Sequence, residues 1–162
     1  MNRVAVTGLG IVSSLGNSYE ELTESLRSGK SGITTVAKAK ELGGVTTSGG
    51  LVQNFEELLI RSELPEARLA SMSRVAQYAV MASKEAVGRS RLTREELGDS
   101  RTACFVGSGA ATAYPIRING HHVHDRRLDL VDRNVTLQTV GNACSLHVAD
   151  VFGIGGPAFG LT

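Results

Sequence analysis

The sequence contains no tryptophan, few other aromatic residues and no surplus of charge of either sign. Proteins that stack nucleic-acid bases on aromatic platforms need more rings than three tyrosines and four phenylalanines provide. The 17 basic and 16 acidic residues leave a formal charge of +1, so there is no basic field to hold a phosphate backbone or an anionic membrane. We therefore expect neither nucleic acid nor a membrane as a partner.

Long apolar runs and paired cysteines are also missing. No stretch approaches the ~18 apolar residues of a membrane span. The apolar stretch at the N-terminus is short and interrupted by Gly8 and Gly10, which is unlike a secretory signal. Cys104 and Cys144 stand far apart and match no metal or redox spacing. Reduced thiols are typical of cytoplasmic proteins, and that is the location we expect.

The hydrophobic pattern predicts strands that alternate with helices. Three short apolar runs beside glycine or proline predict buried strands, at residues 4–7, at residues 102–106 and from Ala158 to Thr162. Helical periodicity predicts four helices. The first begins at the capping-box pair Ser18 and Glu21, and the others lie at residues 55–61, 72–87 and 137–151. Residues 34–52 are predicted to be loop with a short strand near residues 51–52. Residues 112–135, which include Pro115, are predicted to be an exposed loop. This alternation favours an α/β fold with a mostly parallel sheet.

Gly8 and Gly10 follow the first predicted strand and resemble the start of a dinucleotide-binding fingerprint. That fingerprint needs a third glycine at the position of Ser13 and an acidic residue about 20 residues later. Neither is present, so the two glycines are interpreted as part of a tight turn at the end of the strand. A nucleotide-binding reductase remains an alternative function.

The densest group of metal-ligand side chains is His121, His122, His124 and Asp125. Zinc ligands usually come from rigid elements, whereas this tract lies in a predicted loop. We interpret the histidines as solvated and expect no metal and no other cofactor.

The two cysteines are interpreted as structural. Cys144 continues the apolar stripe of the predicted helix 137–151, and Cys104 lies in the middle of a predicted strand. A reactive thiol usually needs a helix N-terminus or a basic neighbour, whereas buried free cysteines are common in protein cores.

Five segments in chain order share a likeness to one known family: residues 3–16, 29–33, 72–78, 105–109 and 152–162. They resemble 3-oxoacyl-carrier-protein synthases, the beta-ketoacyl synthases. The similarity is closest to the type I enzymes of dissociated fatty acid synthesis.

The resemblance implies an α/β, thiolase-like fold of alternating helical and sheet layers, α-β-α-β-α, whose first half is incomplete in this chain. Residues 1–162 would form the N-terminal part of the synthase domain and end just before its nucleophile. In the family, that cysteine follows about three residues after the position matching Thr162. No catalytic residue is therefore assigned, and the 162-residue chain alone is expected to be inactive.

The implied reaction is a decarboxylative Claisen condensation in fatty acid or polyketide synthesis, with acyl-carrier protein and malonyl-acyl-carrier protein as partners. By resemblance, Ala110, Thr139 and Val140 match positions of the acyl pocket. The family also implies a homodimer in which the strand from Ala158 to Thr162 pairs with its two-fold mate. A non-catalytic, chain-length-determining paralogue remains an alternative.

Overall fold

The computed structural model describes residues 3–109 and 113–161. The chain divides into two compact units. One comprises the residues up to 63 together with 81–90, and the other comprises residues 64–80 together with those from 91 onward. The 17-residue helix α5 (Arg74–Ser90) contributes to both units.

The first unit is mainly helical and contains one small hairpin. Its elements are α1 (Tyr19–Arg27), β1 (Ile33–Thr35), α2 (Ala37–Glu41), β2 (Ser48–Gly50), α3 (Phe55–Arg61) and the second half of α5. The Ser18 hydroxyl caps α1 by accepting a hydrogen bond from the Glu21 N–H at 3.2 Å. The Glu21 carboxylate reaches one residue beyond the cap and accepts from the Asn17 N–H at 2.7 Å. The predictions for α1 and α3 are confirmed.

The prediction of a strand at residues 4–7 is wrong. Residues 3–12 form no regular element, and Val4 is 94% exposed. A strand needs a neighbour that accepts its hydrogen bonds, and among the described residues no strand runs beside this segment. Instead, Gly8 and Gly10 lie against α5, where a Cβ on either would collide with the backbone carbonyl of Ala86 or Ala82.

The loop predicted at residues 34–52 is only partly correct. β1 and β2 pair in antiparallel fashion, with Ile33 opposite Gly50, and α2 lies between them. The strand suspected near residues 51–52 lies just before them, at Ser48–Gly50. Threonine and serine recur here without a period, so hydrogen-bond pairing between distant residues had to define these elements.

The second unit contains the remaining elements. In addition to the first half of α5, these are α4 (Glu66–Ser71), α6 (Arg94–Gly98), β3 (Cys104–Gly107), α7 (Ala113–His124), a 3₁₀ helix (Leu128–Leu130), α8 (Val135–Thr139), α9 (Ala143–Phe152) and β4 (Ala158–Leu161). β3 and β4 pair in parallel, with Phe105 opposite Phe159. Both strands were predicted, although Thr162, the last residue of the predicted third strand, lies outside the described residues.

The two faces of the β3–β4 ribbon differ. Cys104 on β3 is buried, as are Cys144 and Val148 on α9, the helix that contacts both strands. On the other face, the rings of Phe105 and Phe159 stack with their centroids 5.3 Å apart, and they are 63% and 49% exposed. Side chains alternate along a strand, so the small residues of β4 lie toward α9 and its large ones lie outward.

The prediction of a loop at residues 112–135 is wrong for most of the segment, because α7 and the 3₁₀ helix occupy it. Pro115 favours a loop by sequence, but it lies in the first turn of α7, where its missing N–H costs no intrahelical hydrogen bond. The helix ends after His124 with Arg126 in the left-handed conformation, φ 58°. The Arg127 N–H then bonds to the His122 carbonyl at 2.8 Å, which closes a Schellman motif.

The single helix predicted at residues 137–151 is two helices. Val140 leaves α8 in an extended conformation, with φ −66° and ψ 140°, and α9 begins at Ala143. Cys144 therefore lies in the first turn of α9 rather than in a helix interior. Gly153 ends α9 at φ 65°.

Candidate functional site

The candidate site lies where the carboxyl ends of β3 and β4 meet in the second unit. Gly107 pairs with Leu161, and the Ser108 N–H donates to the Leu161 carbonyl at 2.8 Å, which extends the ladder by one residue. In open parallel sheets, the crevice beyond the carboxyl ends of the strands is where ligands bind. The turn Gly107-Ser108-Gly109 lies at this edge.

The junction between α8 and α9 packs directly on β4. A Cβ added to Gly160 would lie 2.7 Å from the Asn142 Cα and 3.0 Å from the Gly141 carbonyl oxygen. Only a residue without a side chain allows this approach. Residues 140–142 are thereby held beside the carboxyl end of β4.

The structure places two of the three predicted pocket residues at this junction. Thr139 is the last residue of α8, and its hydroxyl donates to the Val135 carbonyl at 2.7 Å, so its polar group is used within the helix. Val140 follows as the C-cap and is 36% exposed. Ala110 lies outside the described residues, one position after Gly109.

Cys144 lies close to the same turn but is not poised as a nucleophile. Its side chain is 4% exposed and shares a hydrogen bond with the Ser108 side chain. Burial raises the pKa of the Cys144 thiol, and the hydrogen bonds from Ser108 and the backbone only partly oppose that rise. Although the first turn of a helix favours thiolate, burial prevails here and keeps the thiol neutral.

A hydrogen-bonded network that the sequence did not reveal fixes the start of α8. The buried Asn119 of α7 accepts from the Asp132 N–H at 2.8 Å and donates to the Pro115 carbonyl at 2.9 Å. The Asp132 carboxylate in turn accepts from the Gln138 side chain at 2.9 Å, and Gln138 also donates to the Ala70 carbonyl at 3.0 Å. α8 is thus tied to both α4 and α7. A lone asparagine in a predicted loop carried no signal for this role.

A cleft of about 640 Å³ opens beside this network. Its lining combines apolar side chains with amide and carboxylate groups of the network. Its walls include Met72, Val75, Pro115, Ile118, Asn119 and Asp132. Nearby, the Gln77 amide nitrogen donates to the Leu69 carbonyl at 3.1 Å, and its buried oxygen has no hydrogen-bond partner among the described residues.

Within residues 3–109 and 113–161, no three His, Cys, Asp or Glu side chains are arranged to hold a metal ion. His121, His122 and His124 lie in the last turn of α7 rather than in a loop. In the same part of the chain, no helix is long and apolar enough to cross a membrane.

The chain belongs to the beta-ketoacyl synthase family, whose N-terminal domain matches residues 1–162. It is 33% identical over 115 residues to 3-oxoacyl-(acyl-carrier-protein) synthase 1 of Haemophilus influenzae, a match that covers 70% of this chain and 27% of that protein.

Two solved structures share the fold. The ishigamide ketosynthase/chain length factor superposes with a TM-score of 0.81 at 26% identity, over 97% of this chain and 39% of its own. A beta-ketoacyl synthase from Burkholderia phymatum STM815 also gives a TM-score of 0.81, at 24% identity, over 99% of this chain and 39% of its own. These matches confirm the predicted α/β, thiolase-like fold. The chain spans about a quarter of the length of the curated relative and about two fifths of each solved structure.

Proposed function

We propose that residues 1–162 form the N-terminal part of a condensing acyltransferase that elongates an acyl chain by decarboxylative Claisen condensation. The observation that carries the proposal is the family match over all 162 residues. The name of the Haemophilus influenzae relative specifies an acyl-carrier-protein substrate. We extend this to acyl-carrier protein and malonyl-acyl-carrier protein as the substrates of the complete protein, which we place in the cytoplasm.

In this proposal, the described residues supply part of the acyl pocket and hold it in place. Thr139 and Val140 lie at the α8–α9 junction, which Gly160 holds against β4. Ala110, which follows Gly109 in the sequence, would complete the set. The nucleophilic cysteine would follow Thr162, so β4 leads directly toward it. This assignment fits the neutral, buried state of Cys144, which leaves nucleophilic attack to a residue elsewhere.

The same proposal includes a homodimer formed through β4. Among the described residues, β4 pairs only with β3, so its other edge can accept a strand. Phe159 and Leu161 are 49% and 56% exposed, which supplies apolar area beside that edge. An antiparallel β4 pair across a two-fold axis would satisfy the edge and cover these side chains.

The alternative is a chain-length-determining paralogue without a nucleophile. The observation that keeps it open is the likeness, at a TM-score of 0.81, to the ishigamide ketosynthase/chain length factor, whose name includes both kinds of protein. A nucleotide-binding reductase is disfavoured. The backbone of α5 fills the space beside Gly8 and Gly10 where a pyrophosphate would have to approach.

A single experiment distinguishes a synthase from a chain-length-determining paralogue. The complete protein is incubated with acyl-acyl-carrier protein, and the intact protein mass is recorded before and after malonyl-acyl-carrier protein is added. A synthase gains the acyl mass and then releases 3-oxoacyl-acyl-carrier protein. A protein that is never acylated, yet changes the product length of a co-purified synthase, is the chain-length partner. Failure of both outcomes rejects the proposal.

A further inference from the structure

The proposed function leaves unused the cleft of about 640 Å³ between the start of α5, α7 and the segment that leads into α8. Its volume lies within the range of about 300–1,000 Å³ that is usual for small-molecule sites. All of its lining residues belong to the second unit, so a single compact unit forms the whole cleft. The cleft can therefore be considered as a ligand site in its own right.

Apolar side chains form part of the cleft lining and are incompletely covered. Met72 is 3% exposed and belongs to the core, whereas Val75 and Leu130 are 37% and 46% exposed. Ile118 of α7 is partly buried beside them. A ligand with an apolar body would remove this surface from water, which favours binding.

Asp132 gives the same cleft a carboxylate that is not paired with a cation. It is partly buried, and among the described residues its carboxylate accepts hydrogen bonds from the Asn134 N–H at 2.8 Å and the Gln138 amide at 2.9 Å. Both donors are neutral, and an ionised carboxylate has about four acceptor sites. Asp132 can therefore accept further hydrogen bonds, and a positive charge would strengthen them.

Gln77 adds a second unused acceptor to the lining. Its amide nitrogen donates to the Leu69 carbonyl at 3.1 Å, which fixes the orientation of the amide group. The amide oxygen is buried and has no hydrogen-bond partner in the part of the chain that the structure describes. Because a buried acceptor without a donor is unfavourable, an N–H group bound in the cleft would be stabilised here.

The other charged residue of the lining is Arg74, which is exposed. Solvent and salt screen an exposed charge more strongly than a partly buried one. Asp132 is the less exposed of the two and is held in place, because the buried Asn119 accepts a hydrogen bond from its N–H at 2.8 Å. We therefore expect the field of Asp132 to prevail within the cleft.

We propose that this cleft binds a small organic cation in which an amidinium, guanidinium or ammonium group is joined to an apolar body. The N–H groups of the ligand donate to the Asp132 carboxylate and the Gln77 amide oxygen. Its apolar part lies against Val75, Ile118 and Leu130. The inference is independent of the proposed function.

The test is a titration of the complete protein with benzamidine, followed by saturation-transfer difference NMR at neutral pH and constant ionic strength. Benzoate is the control ligand, because it has nearly the same shape but carries the opposite charge and no N–H donor. We expect benzamidine to bind with a dissociation constant on the order of 1 mM, as is usual for a ligand of this size. Benzoate should show no saturable binding.

Two aspartate variants locate the site. Asp132→Asn should weaken benzamidine binding about tenfold, because it replaces a charged acceptor by a neutral one. Asp125→Asn is the matched control, since it removes the same charge from a residue outside the cleft lining. This variant should bind benzamidine like the parent protein.

Val75→Glu keeps the inference testable even if Asp132→Asn does not fold. Val75 lines the cleft and is 37% exposed, so a carboxylate can be placed there without burying it completely. The variant should bind benzamidine roughly two- to fivefold more tightly, a gain that misfolding cannot imitate.

Three results would overturn the inference. They are an absence of saturable benzamidine binding, equal affinities for benzamidine and benzoate, and an affinity that a folded Asp132→Asn variant leaves unchanged. Failure of Val75→Glu to tighten binding would likewise reject this cleft as the site. None of these results affects the proposed condensation reaction, which the acylation experiment tests separately.

Discussion

Gly160 and Asn142 touch through their backbones, and this contact holds the α8–α9 junction on β4. A Cβ on Gly160 would lie 2.7 Å from the Asn142 Cα, closer than real Cβ contacts come. We predict that Gly160→Ala pushes the junction away and lowers the free energy of unfolding by about 1–3 kcal/mol, the cost of an overpacked contact. Urea unfolding of the complete protein measures this change.

The control for Gly160→Ala is Gly107→Ala on the neighbouring strand. Among the described residues, no heavy atom lies within 4 Å of a Cβ built on Gly107. This substitution should change stability by less than about 0.5 kcal/mol, as at other uncrowded sites. Equal losses for the two variants would mean that the strand, and not the junction, requires glycine.

Both cysteines should resist alkylation in the folded protein at neutral pH. Cys104 and Cys144 are 6% and 4% exposed, and burial raises the pKa of each thiol. Iodoacetamide should therefore label them rapidly only after urea is added, which mass spectrometry of timed samples can follow. Selective labelling of Cys144 in the folded state would restore it as a candidate nucleophile.

The same raised pKa values predict a loss of stability in alkali. A thiol that ionises less readily when folded contributes stability below its unfolded pKa of about 8.5, and that contribution is lost as the pH rises through the higher folded value. Melting temperatures should fall across this range. In a Cys104→Ala/Cys144→Ala variant, the decline should be shallower, whatever the variant's absolute stability. An unchanged slope would contradict the prediction.

Arg91 and Gly153 end two helices in the same left-handed conformation, with φ of 62° and 65°. Because this conformation costs a residue with a Cβ about 1 kcal/mol more than glycine, we predict opposite effects from reciprocal changes. Arg91→Gly should raise the unfolding free energy, and Gly153→Ala should lower it by a similar amount. Thermal unfolding of both variants tests the pair, and a shift of the same sign in both would refute the explanation.

The proposed β4 pairing predicts that Phe159→Asp dissociates the complete protein. In a two-fold pairing, the substitution places a carboxylate near the seam on each subunit, and an unpaired buried charge costs several kcal/mol. Sedimentation at micromolar concentration should show a monomer with reduced turnover. Phe105→Asp, one strand further from the seam, should affect assembly less. A Phe159→Asp dimer with normal turnover would reject the pairing.

Local sequence determined those elements whose start, stop and period lie within one segment. Ser18 caps the start of α1, and the helix at residues 55–61 was predicted with its observed ends. α6 could also have been found, because Thr93 and Glu96 form a complete capping box with hydrogen bonds of 3.2 and 2.8 Å. In these places, short-range hydrogen bonds and apolar periodicity are sufficient.

Tertiary structure decided the elements whose partners are distant in sequence. Residues 4–7 have the composition of a strand, but no described strand runs beside them, so they form no regular element. The apolar residues from Leu137 to Val151 recur with a helical period. The helix is nevertheless interrupted between α8 and α9, where Asn142 lies against Gly160. The sequence by itself thus identified the family and the parallel pair of strands. The place of Cys144 in the first turn of α9, and its neutral state, depended on packing between residues far apart in the chain, which local periodicity does not encode.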